Sequence, residues 1–246
     1  MKLKDLYLPR RCRLWIFFLS LFIIGPWVIS TVLASHDGPD DETYYYRNVT
    51  GDTVLKIKWE LTKTDVLTLN YQTEVSQDVI ITGPDFDTRS WQVIDEMEGT
   101  CLQAKRVEQT IVVKGRYRGN PVDKSLAIDP EPWYQSTSLS LREFIASEDS
   151  ERIFWTIRPR TLTAHKIKAT KKEVLPTDTA NGHLSLLRIR LSLPGILAPF
   201  WKSDYWFSLP EGIFQRFEGP SGPPGSPLTV VTRMDPPADQ QKNPGS

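Results

Sequence analysis

Along most of the chain, apolar and polar side chains alternate with a period of two. The clearest case is Leu55-Lys56-Ile57-Lys58-Trp59-Glu60-Leu61, where apolar residues point to one side and charged residues to the other. This is the pattern of a strand buried on one face. The same rhythm recurs at residues 67–71, 111–118, 153–158 and 187–193. Shorter β-rich runs occupy residues 44–49, 78–82, 90–94, 101–107, 161–170, 204–209, 212–218 and 228–234. Turn signals separate them, among them Gly83-Pro84-Asp85, Gly119-Asn120-Pro121, Asn181-Gly182 and Pro210-Glu211-Gly212. The pattern predicts a mainly β chain: a single antiparallel meander of about ten to twelve strands, curled into a half-barrel, clam or barrel.

One segment has the other period. In residues 138–147, Leu141, Phe144 and Ile145 fall at i, i+3 and i+4, and Ser138 or Ser140 is the candidate cap. The expectation is one short helix lying over an open end or face of the sheet.

The first 34 residues break the alternation. Lys2, Lys4, Arg10, Arg11 and Arg13 precede an uncharged run from Leu14 to Ala34, the order of a secretory signal. Cleavage after Ala34 is the first reading and a signal anchor the second, since the run is long enough to span a bilayer. Both place the remainder on the far side of the membrane. The domain plan is therefore a leader or anchor at 1–34, a flexible lead-in at 35–43, a β domain at 44–235 and a disordered tail at 236–246. Within this plan, Gly219 to Pro227 forms three collagen-type triplets, too few for a triple helix, and reads as a stiff loop. Asn48-Val49-Thr50 is a formal glycosylation sequon.

Charge changes once the leader is set aside. It holds five of the 30 Lys and Arg and one of the 30 Asp and Glu, leaving 25 basic against 29 acidic residues, or −4. A mildly acidic domain speaks against nucleic acid as its partner. Only Cys101 remains, so no intramolecular disulfide is expected; it reads as a small buried apolar residue.

Catalytic motifs are missing. The sequence has no Walker loop, GxGxxG or GxSxG, and His36, His165 and His183 have no metal-binding spacing. No catalytic residue, metal or cofactor is assigned. Aromatic density is the strongest chemical signal: Pro132-Trp133-Tyr134, Phe154-Trp155, and Phe200-Trp201 followed by Asp204-Tyr205-Trp206-Phe207. Such rings fill a core or line an apolar cavity. Trp201 and Trp206, five apart in extended chain, are expected on opposite faces. The alternating pairs Lys56/Lys58, Arg116/Arg118, Lys166/Lys168 and Arg188/Arg190 read as a solvated face, with contact to anionic headgroups or glycans as the functional alternative.

The succession of these aromatic motifs, the intervening helix with Phe144, and the loop Gly222-Pro223-Pro224-Gly225-Ser226-Pro227 resembles bacterial exported proteins of the domain of unknown function 3108 group. The resemblance spans residues 44–234 and implies an envelope-located, β-rich half-barrel, with no catalytic residues to carry over. The expectation that follows is a periplasmic, non-enzymatic protein that holds a lipid or another apolar small molecule in a concave sheet. Trp133, Phe154, Trp155, Tyr205 and Phe207 are the candidate lining. Two alternatives stand beside it: a hydrolase or isomerase using His165 or His183 as general base, and an assembly factor that engages an envelope protein through a sheet edge or the Gly-Pro loop.

Overall fold

The computed structural model describes residues 41–179, 182–220, 222 and 225–236. The expected leader, the start of the lead-in and nearly all of the expected tail lie outside them. Within them a single antiparallel sheet of fourteen strands is built: β1 (Glu42–Thr50), β2 (Thr53–Lys63), β3 (Leu67–Gln72), β4 (Ser76–Thr82), β5 (Thr88–Asp95), β6 (Thr100–Val107), β7 (Thr110–Tyr117), β8 (Asn120–Ala127), β9 (Glu151–Arg158), β10 (Thr163–Thr179), β11 (Gly182–Ser192), β12 (Lys202–Leu209), β13 (Phe214–Pro220) and β14 (Leu228–Met234). A helix, α1 (Thr137–Ala146), separates β8 from β9, and a 3-10 helix at Gly195–Phe200 precedes β12. The mainly β class, antiparallel meander and short helix expected from periodicity are all present.

The strand order is β8-β7-β6-β5-β4-β3-β2-β1-β14-β13-β12-β11-β10-β9. Two meanders, β1–β8 and β9–β14, are thus joined by the pairing of β1 with β14, which runs in register from Tyr45↔Met234 to Thr50↔Thr229. The chain therefore leaves the sheet at one edge and re-enters it at the other. Sheet curvature brings these edges together. Tyr117 at the end of β7 donates its hydroxyl to the Arg160 carbonyl beside β9 at 2.7 Å, and Lys166 of β10 pairs with Asp129 just past β8.

The connection between the edges fills the gap. The Trp133 amide donates to the Asp87 carboxylate at 2.8 Å, and the Thr88 amide of β5 donates to the Trp133 carbonyl at 2.8 Å. On its other side, the Tyr134 amide donates to Trp155 of β9 and the Trp155 amide donates to Pro132. The Gln135 side chain then behaves like a strand residue: it donates to the Ile157 carbonyl at 3.2 Å and accepts from the Ile157 amide at 3.1 Å. These bonds satisfy the polar backbone of an edge that would otherwise be bare.

Helix α1 packs Leu139, Leu141, Phe144 and Ile145 into the core. The cap is Ser136, without a side-chain cap bond, rather than Ser138 or Ser140. Ser138 instead accepts the Trp59 indole N–H at 3.2 Å, and the Ser140 hydroxyl is buried with no hydrogen-bond partner among the described residues. At the other end, Lys171 donates to the carbonyls of Ile145 and Ser147, which suits the negative end of the helix dipole. The largest fully buried side chains include Trp59, Trp91, Trp133, Tyr134, Phe144 and Phe154. Each contributes on the order of 2 kcal/mol or more by leaving water.

Fourteen strands form where ten to twelve were expected. Thirteen of them overlap the runs named from the sequence, and the one without a run is β8, an edge strand whose residues are mostly exposed, so one-sided alternation is weak. Its Pro121 sits where only an edge tolerates a residue without an N–H. The hairpin of β10 and β11 is longer than the runs 161–170 and 187–193 because its outer part, past the irregularity between Lys171 and Val174, carries polar and exposed residues. The sheet begins at Glu42, two residues inside the stretch read as lead-in.

Candidate ligand-binding cavity

The inward residues of the sheet do not close completely over α1. A cavity of about 260 Å³ remains between the first turn of the helix and the concave face. Its walls come from both meanders: Tyr46 of β1, Ile57 and Trp59 of β2, Tyr71 of β3 and Ile80 of β4 on one side, Tyr205, Phe214 and Val231 of β12–β14 on the other. Strand alternation explains the convergence, because Tyr46 lies opposite Ile57, Trp59 opposite Tyr71, and Tyr205 opposite Phe217, which pairs in turn with Val231.

Most polar atoms in this wall are already bonded within the protein. The Tyr46 hydroxyl donates to the Phe214 carbonyl at 3.1 Å, and Trp59 is held by Ser138. Asp78 is the exception in kind. This carboxyl is the one acidic side chain in the wall and accepts the Trp91 indole N–H at 2.7 Å. Burial pushes its pKa up to about 6, against the lowering effect of the Trp91 bond, with the Asp95 charge adding to the rise. Burial likewise raises the phenols of Tyr71 and Tyr205, and the Asp78 charge adds to the effect on Tyr71. Among the described residues no Lys, Arg or His lines this cavity.

A second cavity of about 220 Å³ adjoins the first, sharing Asp78, Trp91 and Pro159. It continues toward β6 and β7, with Leu102 and Tyr117 in its wall and Asp95, Glu98, Arg118 and Arg160 on its polar side. Arg118 is paired with Glu98 at 3.1 Å.

Tyr205 alone of the five residues expected to line a site does so. Trp133, Phe154 and Phe207 are each fully buried in the core, and Trp155 turns its indole N–H to Asp129 at 2.7 Å. The wall residues Tyr46, Trp59, Tyr71, Asp78 and Trp91 were not singled out. Each lies in an ordinary alternating strand, and the usable signal was Asp78 two residues before Ile80, a carboxyl in phase with the apolar face. Trp201 and Trp206 part as expected: Trp201 packs against the core and bonds Gly222, whereas Trp206 lies under the Arg216 guanidinium on the other face, in register with Arg188. Neither histidine lines a cavity. His165 shares a hydrogen bond with Thr163 at 2.8 Å, and His183 is exposed on β11. Among the described residues no group of three His, Cys, Asp or Glu is placed to hold a metal, and no helix is long and apolar enough to cross a membrane.

No family model and no curated protein matches the chain. Among solved structures, it is similar to the β-barrel-like protein of domain of unknown function 1849 from Brucella abortus. The TM-score is 0.55 at 10% identity, over 78% of this chain and 95% of that one. The hypothetical lipoprotein YmcC from Escherichia coli K12 aligns at a TM-score of 0.37 and 9% identity, over 81% and 88% of the two chains. The first likeness shows a shared barrel-like β fold. The resemblance to the 3108 group rests on the sequence motifs alone.

Proposed function

We propose that this protein is a non-enzymatic component of the cell envelope that holds an apolar or amphiphilic small molecule, such as a lipid, in the concave interior of its sheet. The observation that carries the reading is the aromatic cavity between α1 and the sheet, extended by its neighbour. Its size approaches that of small-ligand sites, and its wall combines a broad apolar surface with few polar groups. The basic-then-apolar leader at residues 1–34 supports export to the periplasm, either free or held by the uncut leader. Among the described residues a general base reading lacks an imidazole open to either cavity. Tyr205 is the lining residue anticipated by the aromatic motifs, and the buried Phe207 stacks on it with ring centres 6.3 Å apart.

Native mass spectrometry of protein purified from envelope extracts, followed by solvent extraction, tests the proposal. A retained or exchangeable apolar ligand is expected. Protein that carries none, and takes up none from mixed lipid micelles, overturns it.

A further inference from the structure

We infer that the cavity selects amphiphiles with a cationic, ammonium-type head, and that Asp78 is the residue that anchors it. The inference rests on the ligand-binding reading above and names the chemical class of the ligand.

Three observations converge. First, the wall carries an acid and no base: Asp78 is the one ionisable carboxyl lining the main cavity and, among the described residues, no Lys, Arg or His lines it, while of the two arginines in the adjoining cavity Arg118 is paired with Glu98 and Arg160 is exposed. Second, that carboxyl has a single hydrogen-bond donor among the described residues, the Trp91 indole, so an ionised Asp78 keeps acceptor capacity for a ligand. Third, its surroundings are aromatic. Tyr46, Trp59, Tyr71, Trp91, Tyr205 and Phe214 share the cavity, and the negative faces of such rings attract a desolvated cation. A buried carboxylate without a counter-ion is costly. A bound ammonium group supplies that counter-ion while its alkyl chain covers the apolar wall.

The first turn of α1 acts the other way, because Ser136, Thr137 and Ser138 also line the cavity and a helix N-terminus carries about half a positive charge. Its serines are engaged, however: Ser136 and Ser138 bond each other, and Ser138 also accepts the Trp59 indole N–H. A full carboxylate charge outweighs the remaining dipole.

The test uses three short amphiphiles with full-length protein stripped of bound lipid: octyltrimethylammonium, 1,2-octanediol and octanoate, each below its micelle concentration. Binding is read by quenching of tryptophan fluorescence, since Trp59 and Trp91 line the cavity. The ammonium compound is expected to bind about tenfold more tightly than the diol, a difference of about 1.4 kcal/mol, with octanoate weakest. In Asp78→Asn, which keeps an oxygen for Trp91, the ratio is expected to fall to about one. Equal affinities for the ammonium and the diol in unmutated protein, tightest binding of octanoate, or an unchanged ratio in Asp78→Asn each overturn the inference and leave the carrier reading standing. Failure of all three compounds to bind removes both.

Discussion

Arg142 on the helix and Glu42 at the start of the sheet form a two-pronged ion pair, with guanidinium to carboxylate distances of 2.9 and 2.7 Å. The same guanidinium lies 5.3 Å from the Trp59 ring centre, and Lys63 approaches Glu42 at 2.8 Å. The pair therefore clamps the lid-like helix to β1 and β2 beside the cavity wall. Burial raises the Glu42 pKa, but hydrogen bonds and charge from Arg142 and Lys63 outweigh it and hold the carboxyl at about 2. A depressed carboxylate contributes stability that is fully present above its ordinary value of about 4.5 and is lost as pH falls toward about 2. Glu42→Gln is expected to lower stability by about 1–2 kcal/mol near neutral pH, after allowance for solvent screening. The difference from the unmutated protein should shrink as urea unfolding is repeated at falling pH, and a constant difference would rule the linkage out.

Ser140 offers a prediction of opposite sign. Its hydroxyl is buried on α1 without a partner among the described residues. Ser140→Ala removes an unsatisfied polar group and adds a better helix former. Thermal unfolding should move upward, corresponding to about 1 kcal/mol of added stability. A lower midpoint would mean that the hydroxyl is satisfied in solution.

Wall and lining are separable by mutation. Trp133 is fully buried in the connection that stitches β5 to β9, so Trp133→Ala should cost about 3–5 kcal/mol in urea unfolding. Tyr205→Phe keeps the ring packed at 4.8 Å against Phe217 and loses only the hydroxyl, for about 1 kcal/mol. Comparable losses from the two substitutions would contradict this division between scaffold and site.

These residues also show how far the sequence could be read. Strands such as β2 were legible because Ile57, Trp59 and Leu61 are buried on one face while Lys56 and Lys58 stay on the other. Edge strand β8 was not, because a strand with one neighbour and little burial needs no alternation. The cavity was hidden for a different reason. Its wall gathers Tyr46, Trp59, Tyr71, Asp78 and Trp91 from five successive strands, and only the register of the curved sheet places them together. Aromatic density along the chain found the places with most ring volume, at Trp133, Phe154 and Phe207, and ring volume there closes the core. The joining of β1 to β14, nearly the full length of the described chain apart, leaves no local signature either.

Filling the cavity provides a direct test of occupancy. Val231 on β14 is half-buried and lines it, so Val231→Trp projects an indole into space that a ligand would occupy. Overpacking is expected to cost about 1–3 kcal/mol, small enough for the domain to remain folded. Ligand retained by the unmutated protein should be absent from the variant in native mass spectrometry while the circular dichroism spectrum is unchanged. Undiminished ligand in a folded variant would place the binding site elsewhere.

Asp78 couples the proposed site to stability, and the sign follows from its environment. Its pKa in the folded protein is raised from 3.8 to about 6, chiefly by burial, so the native state binds a proton more tightly than the unfolded chain. That contribution is fully present below about pH 4 and is lost as pH rises through about 6, the reverse of the Glu42 case. Above that range the ionised carboxyl costs about 2–3 kcal/mol. Asp95 and the phenols of Tyr71 and Tyr205 share its surroundings, and among these the phenols titrate far above the window. Asp78→Asn, which preserves the acceptor for the Trp91 indole, should match the unmutated protein near pH 4 and be more stable by about 2–3 kcal/mol near pH 8. Urea unfolding at intervals across that range measures the difference. Saturation with octyltrimethylammonium should narrow the gap at the high-pH end, since a cation bound to native protein adds stability by mass action and only the carboxylate can use it. Parallel stability curves for the two proteins, with and without the amphiphile, would show that Asp78 is neither strained by ionisation nor relieved by a cation.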